Sequence, residues 1–404
     1  MSEATYIVGD VFDVMATLPD SSVDLVLTSP PFLALRSYLH ADHPDKGKEI
    51  GSEPTPAEFI DTLLALTAEW ERVLAPHGSI CVELGDTYAG GGNGPDARNA
   101  GADHESNAAE RWTGTRNGWP LDKSLCGIPH LYHLSLAYGR NLLTGAESPA
   151  GMWRVRNVVA WCRPNPPVGA LGDKYRPATS YITIATKARD RWFDLDAVRT
   201  APASTDRRQA AYNANGASGA FHDHSNDEIG RQQGPKPASG GVSNPAGAPP
   251  LDWWQVPTEP YKGSHYATWP RKLLTRPIES MCPREVCTAC GEPRRRIVEN
   301  HGSPYLFSYH QGQDGGSSTG GMGGHTAVRN VTTTGWTDCE CGAPFRPGIV
   351  LDPFAGSGTT LAVATGRGHH GIGIDLDPRN VELARDRVGP MFLDEFTLDE
   401  WKNR

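Results

Sequence analysis

The stretch VDLVLTSPPF, residues 23–32, constrains this chain more than any other. Val23, Leu25 and Leu27 interleave with Asp24, Val26 and Thr28, the pattern of a short and largely buried strand. Pro30 and Pro31 cannot continue a sheet ladder, and they stiffen the backbone just past the strand end. A frozen turn at the carboxyl end of a core strand lies where open α/β sheets bind their ligands.

The surrounding pattern supplies such a sheet. YIVGD and VDLVLTS read as strands, PAEFIDTLLALTAEWERVLA as a helix with Phe59, Leu63, Leu64, Leu66, Trp70 and Val73 near a 3.6 period, and GSICVELGD as a further strand. The alternation predicts a parallel sheet with helical crossovers. Past residue 125, GIPHLYHLSLAYGR reads as a helix and NVVAWCR and SYITIATK as strands. The last 58 residues restart the alternation: GIVLDPF is a strand, AGSGTT a glycine turn, LAVATGRG a helix, GIGIDLDP a strand and RNVELARDRV a helix. Residues 88–125 and 201–250, and a Gly-rich run within 311–325, are low in complexity and are expected to be flexible loops. No internal repeat is evident.

In VLDPFAGSGTT, residues 350–360, a strand runs into Gly356 and Gly358 and then into a helix start. Such glycines allow close backbone approach, and a helix N-terminus offers unpaired N–H groups. Asp375 closes the next strand about 20 residues on, where an acidic residue accepts from a ribose diol in dinucleotide-type folds. No lysine follows the glycines, so the turn is not a P-loop.

DPFAGSGTT resembles the S-adenosylmethionine-binding motif of amino-group DNA methyltransferases, and TSPPF resembles their catalytic motif, Asp/Asn/Ser-Pro-Pro-aromatic. GDVFDVMATLPDSSVDLVLTSPPF, RNVVAWCRPNPPVGALGDKYRPATSYITIATK, WFDLDAVRT and HYATWP are similar to segments of the same family. With the catalytic motif first and the cofactor motif last, the order resembles the β class. The resemblance covers about two thirds of the chain and leaves 88–125, 200–250 and 282–346 uncovered. It implies an α/β fold, a circularly permuted, Rossmann-like methyltransferase sheet, to which this chain's own residues add a small cysteine-rich insertion and Gly-rich flexible loops. Residues 1–87 and 126–200 would form its first part and the rest of the catalytic sheet. The flexible loop 88–125 would lie between them, and 201–252 would be the target-recognition segment. The remainder would comprise a cofactor-supporting segment, 253–281, the cysteine-rich insertion, 282–346, and the cofactor-binding half, 347–404. The implied cofactor is S-adenosyl-L-methionine, held by Asp352, Phe354, Gly356, Ser357, Gly358, Thr359 and Asp375, with Asp10 towards the adenine and His265 at the methionine end.

An exocyclic base amine is a poor nucleophile, because its lone pair is delocalised into the ring. Such chemistry needs acceptors that turn the lone pair towards the methyl carbon, rather than a covalent nucleophile. Ser29 Oγ and the Pro30 carbonyl fit that need, with Pro31 stiffening the turn and Phe32 offering a flat face to a base rotated out of the duplex. Ser at position 29 resembles the cytosine-N4 enzymes, whereas adenine-N6 enzymes usually carry Asp. Adenine N6 is the alternative, and an inactive zinc-bearing DNA-binding protein is a third reading.

Cys287 and Cys290 have the spacing of a zinc knuckle, and Cys339 and Cys341 would complete a four-thiolate structural Zn2+ site, with Cys282 as a substitute ligand. Cys81, Cys126 and Cys162 read as small core hydrophobes, and His43, His104, His222 and His224 as surface residues. The net charge of −9 argues, taken alone, against nucleic acid. Lys262, Arg271, Lys272, Arg276, Arg284 and the run Arg294, Arg295, Arg296 nevertheless concentrate positive charge locally, and the run is the candidate for phosphate contacts to double-stranded DNA. A solvated surface is the plainer reading of such a run. No apolar stretch reaches the roughly 18–20 residues that span a bilayer, and the N-terminus carries no secretory pattern, so a cytoplasmic protein is expected. Any cognate restriction endonuclease would be a separate chain.

Overall fold

The computed structural model describes residues 2–35, 39, 42–90, 117–166, 173–200, 247–259, 269–300 and 331–402. Two compact units emerge, one of Met1–Asp194, Leu251–Arg295 and Asp338–Arg404, the other of Leu195–Pro250 and Arg296–Thr337. In chain order the elements are β1 (Ala4–Val8), α1 (Val11–Met15), β2 (Val23–Thr28), α2 (Pro56–Val73) and β3 (Leu74–Leu84). They continue with α3 (Ile128–Tyr138), β4 (Arg154–Cys162), β5 (Thr179–Thr186), β6 (Trp253–Gln255), α4 (Arg271–Met281) and β7 (Val286–Cys287). β8 (Arg296–Asn300) and β9 (Val331–Trp336) belong to the second unit. The chain closes with β10 (Phe345–Arg346), β11 (Ile349–Asp352), α5 (Thr359–Gly366), β12 (His370–Asp375), α6 (Asn380–Val388), β13 (Phe392–Thr397) and α7 (Leu398–Lys402).

Among the described residues nine strands form one sheet in the order β13-β1-β12-β11-β2-β3-β5-β4-β6. β5 alone runs against the others, antiparallel to β3 and β4. The permuted order is visible at the centre, where β11 pairs in parallel with β2 through Val350↔Leu25 and Leu351↔Val26. β13 lies in parallel along β1, so the chain end after α6 returns beside the first strand.

Each face of the sheet is covered for local reasons. The side chain of Thr55 caps α2 by accepting from Glu58 N, with Pro56 in the first turn, and the helix buries Phe59, Ile60, Leu63, Leu64 and Trp70 against the sheet. At about 1.5–3 kcal/mol for each large side chain removed from water, that stripe outweighs the helix's own propensity. On the other face α4 packs Leu273, Leu274, Ile278 and Met281 with Leu25, Leu27 and Cys81. The sequence pattern leaves this stretch without an assigned element; Pro277 sits inside the helix, and burial of its apolar side offsets the missing N–H.

Other expectations change in detail. β13 and α7 extend the fold beyond α6, the last element that the pattern predicts. The cysteine-rich insertion is not one body: Cys282–Arg295 and Asp338–Arg346 belong to the sheet unit, while 296–337 fall in the other. Of the loop expected to be flexible, the two ends are paired, with Ala89 N donating to Ser124 O (2.8 Å) and Cys126 N to Thr87 O (2.9 Å); residues 91–116 lie outside the described residues, as do 201–246. In the second unit β8 and β9 form an antiparallel ribbon.

At the edge where β2 begins, Asp24 is fully buried and accepts from His77 Nε2 (2.9 Å), Arg346 Nη1 (2.7 Å) and Ile349 N (2.7 Å). Burial raises its carboxyl, but the hydrogen bonds from His77 and Arg346 outweigh burial and hold it below the ordinary value of 3.8. Its stabilisation is therefore present above that value and lost as the pH falls through the lower folded value. Asp24→Ala should cost about 3–5 kcal/mol in chemical denaturation, because it strands the Arg346 charge; a loss under about 0.5 kcal/mol, the scale of an ordinary surface substitution, would contradict this role.

Candidate functional site

The parallel strands end on a cavity of about 650 Å³. Ser29, Pro30, Pro31 and Phe32 line one side of it, and Asp352, Phe354, Gly356, Ser357, Thr359 and Asp375 line the other, with Asp10 on the same wall. The two motifs meet because β2 and β11 are neighbours, and one carboxylate ties their ends. Asp352 accepts from Thr28 Oγ1 (2.7 Å), from Phe354 N (3.1 Å) and from Thr360 Oγ1.

The glycine turn is clamped from both sides. Gly356 N donates to Asp375 Oδ2 (2.8 Å), and Gly356 O accepts from the buried Tyr6 hydroxyl (2.7 Å). Asp375 also accepts from Asp377 N (2.8 Å) and Asn380 Nδ2 (3.1 Å). Burial pushes the carboxyls of Asp352 and Asp375 each up to about 6, against the hydrogen bonds they accept. Gly358 sits at the start of α5, where Thr359 Oγ1 accepts from Arg387. Ser357 is buried and its Oγ has no partner among the described residues, so a polar group of a ligand would satisfy it. Asp10 caps α1 by accepting from Phe12 N (3.0 Å) and Asp13 N (3.2 Å). His265 lies outside the described residues.

On the β2 side the structure adds a residue that the sequence pattern missed. Glu83, at the end of β3, accepts from Ser29 Oγ at 2.6 Å and also bonds Ser180. Its carboxyl is raised by burial, which these two hydroxyls and the positive charge of Arg163 only partly oppose. An acidic residue closing the apolar strand SICVEL was the available signal. The hydroxyl of Ser29 spends its proton on Glu83, which leaves its lone pairs as acceptors. The ring of Phe32 lies over Gly85, where a Cβ would come within 2.4 Å of Phe32 Cε2; glycine is required for the ring to sit there.

Charge in the cavity is lopsided. Asp10, Glu49, Glu83, Glu259, Asp352, Asp375 and Asp377 line it, against Lys48 and Arg163. Such a wall favours a cationic ligand.

The four expected thiols come together: the sulfurs of Cys287, Cys290, Cys339 and Cys341 lie within 4.8 Å of one another. A tetrahedral zinc tetrathiolate has S–S edges of about 3.8 Å, so the cluster fits that ion with small adjustments. Gly291 and Gly342, each directly after a cysteine, take positive φ and turn the chain back around the group. Cys282 is not part of the cluster but is buried with the α4 core. Cys81 and Cys126 are buried, and Cys162 is half-buried at the end of β4. His43 is half-buried, its Nδ1 accepting from Asp45 N, while His104, His222 and His224 lie outside the described residues.

The arginine run takes up work within the protein. Arg294 pairs with Glu285 (3.1 Å) and Asp338 (3.6 Å) and covers the Phe345 ring, while its carbonyl accepts from Trp192 Nε1. Arg295 Nη1 donates to Arg191 O. Both belong to the segment that Arg346 anchors at Asp24, the edge where the strands begin, whereas the cavity lies where they end. Arg296, in the other unit, stacks on Trp336 and donates to Thr333 Oγ1 (3.0 Å). Arg294 is thus paired within the protein, whereas Arg295 keeps an exposed side chain.

Residues 23–286 and 345–386 match the DNA methylase family (N6_N4_Mtase), and the chain belongs to it. It is 24% identical to the type II methyltransferase M.Cfr9I of Citrobacter freundii over 96% of this chain and 88% of that one. It is likewise 24% identical to the type II methyltransferase M.XycI of Xanthomonas campestris pv. cyanopsidis, over 95% of this chain and 87% of that one. In fold it is similar to the PvuII DNA methyltransferase (cytosine-N4-specific), with a TM-score of 0.50 and 12% identity, across 100% of this chain and 91% of that one.

Proposed function

We propose that this DNA methylase transfers a methyl group from S-adenosylmethionine to the exocyclic N4 amine of a cytosine rotated out of double-stranded DNA. The observation that carries the reading is the Ser29–Glu83 hydrogen bond inside the cavity that the glycine turn also lines. S-adenosylmethionine supplies a methyl group on a sulfonium centre, whose departure leaves a neutral thioether. The cavity residues suit such a cation: Ser357 Oγ awaits a polar partner, and Asp10, Asp375 and the glycine turn lie along one wall. Adenine N6 is the second reading, because both bases carry their amine beside a ring nitrogen and Glu83 places a carboxylate behind Ser29.

The residues divide the work as follows. Ser29 Oγ, its proton directed at Glu83, accepts from the amine and turns the nitrogen lone pair out of the ring plane. The Pro30 carbonyl is the second acceptor, held by a backbone that Pro31 stiffens. Phe32 stacks on the base. When the N–C bond forms, the amine must lose a proton, and the path through Ser29 ends on a carboxylate whose burial makes it a better base than an ordinary glutamate. The four-cysteine cluster would hold a structural Zn2+, with every ligand position filled by the protein. Kinship with type II methyltransferases supports a place in a restriction–modification pair, the endonuclease being a separate chain.

Incubation with tritiated S-adenosylmethionine and unmethylated duplex DNA should label the DNA, and nucleoside mass spectrometry should identify N4-methylcytosine. N6-methyladenine would select the second reading, and no label on any duplex would sink both. Pro30→Ala should lower kcat by about 100-fold while changing cofactor affinity less than threefold, since rigid acceptors act on the transition state. Cofactor affinity, measured calorimetrically, should rise with pH through about 6 as Asp352 and Asp375 ionise, since the sulfonium prefers charged carboxylates. The purified protein should carry one zinc by elemental analysis, and chelation or Cys287→Ser should lower its Tm by several degrees; a zinc-free protein with unchanged Tm would refute the metal.

A further inference from the structure

We propose that Arg163 is a specificity-determining residue that donates to O2 of the target cytosine; the inference rests on the cytosine reading above. Arg163 directly follows β4 and lines the cavity together with Ser29, Glu83 and Trp161. Its Nη1 donates to Ser180 Oγ at 3.0 Å, and its guanidinium carbon lies 4.7 Å from the centroid of the Trp161 ring. Ser180 bonds Glu83, and Glu83 accepts from Ser29. The guanidinium and the Ser29 hydroxyl therefore stand at the two ends of one chain of three hydrogen bonds, and both border the same space.

A guanidinium carries five N–H donors in a rigid plane, and among the described residues the hydrogen bond to Ser180 occupies one direction of it. Burial pulls its pKa down, which marks a cation that water solvates incompletely. Its place over the Trp161 ring holds the cation without consuming donors. A charged donor set held in this way at a cavity wall calls for acceptors on whatever enters.

The pyrimidine supplies them in the right order. Along the pairing edge of cytosine come the amine, the N3 acceptor and the O2 acceptor. With the amine seated on Ser29, the far end of that edge is O2. Adenine offers its amine and an N1 acceptor in the corresponding places, then a C–H, which gives Arg163 nothing to bind. The pair Ser29 and Arg163 thus measures both ends of a cytosine edge, and discrimination follows from a buried donor left unpaired by the wrong base.

The test uses the full chain and a duplex carrying the site mapped from DNA that the wild-type protein has methylated. In a second duplex the target cytosine is replaced by 2-thiocytosine, whose sulfur is a weak acceptor. Wild type should lose about tenfold in kcat/KM on the thio duplex, the scale of a charged hydrogen bond. Arg163→Met should lose a similar factor on the cytosine duplex and treat the two duplexes alike, with cofactor Kd and Tm unchanged, and Arg163→Lys should fall between. No thio effect in wild type, or an undiminished one in Arg163→Met, overturns the proposal, the latter being the result expected of a phosphate contact. The reading beneath it fails by a different signal: a wild-type product of N6-methyladenine, which overturns the O2 contact as well.

Discussion

The structure depends on the pairing of β2 with β11, two short strands that the chain encodes at opposite ends. Their parallel register sets both carboxyl ends at one edge of the sheet, so the Pro-Pro turn and the glycine turn open onto the same cavity. Asp352 secures this edge by accepting from Thr28, 324 residues away, and from Thr360 in the helix that follows. A carboxylate satisfied from two elements in a buried place tolerates little movement of either. The proposed transfer needs that rigidity, since a methyl donor and an amine must meet within a narrow range of approach.

The opposite edge is organised by a second buried aspartate. Asp24 lies near the start of β2, the strand that leads to Ser29, and it draws in His77 from β3, Arg346 from β10 and the amide of Ile349 that opens β11. The cysteine cluster lies within the sheet unit and is tied to this hub by Arg346, a few residues after Cys341. A metal held there would brace the β2–β11 pair from its starting edge, far from the reacting groups. That placement suits a structural ion, and Arg294 beside it is paired with Glu285 and Asp338 and lies over Phe345.

Electrostatics distinguishes the two sides of the cavity. The β11 and β12 side presents carboxylates raised by burial, a setting for a cation. The β2 and β3 side presents a hydroxyl already committed as donor to Glu83, a setting for an amine. The same local rule, that a buried polar group must find a partner, produces the Asp352 bracket and the clamp on Gly356, and it leaves the Ser357 hydroxyl, which has no partner among the described residues, as the group that a ligand would satisfy.

Most of the strands, the Pro-Pro turn, the glycine turn and the two cysteine pairs could be read from the chain, because each is written in nearby residues, while the permuted order followed from the resemblance that those motifs carry. Helix α4 could not, since Pro277 disfavours it locally and only burial of Leu273, Leu274 and Ile278 tips the balance towards it. Nor could β13 and α7, or the reversed direction of β5, which follow from neighbours remote in sequence. Glu83 and Arg163 lie in the predicted strands GSICVELGD and NVVAWCR, where nothing local marks their side chains as bordering the cavity. Side-chain chemistry and short-range pattern fix which backbone shapes are allowed, so the sequence alone determined the motifs and their order. Which carboxylate faces Ser29, and which arginine borders the cavity, depends on strand adjacency and desolvation, and these exist only once distant segments have packed.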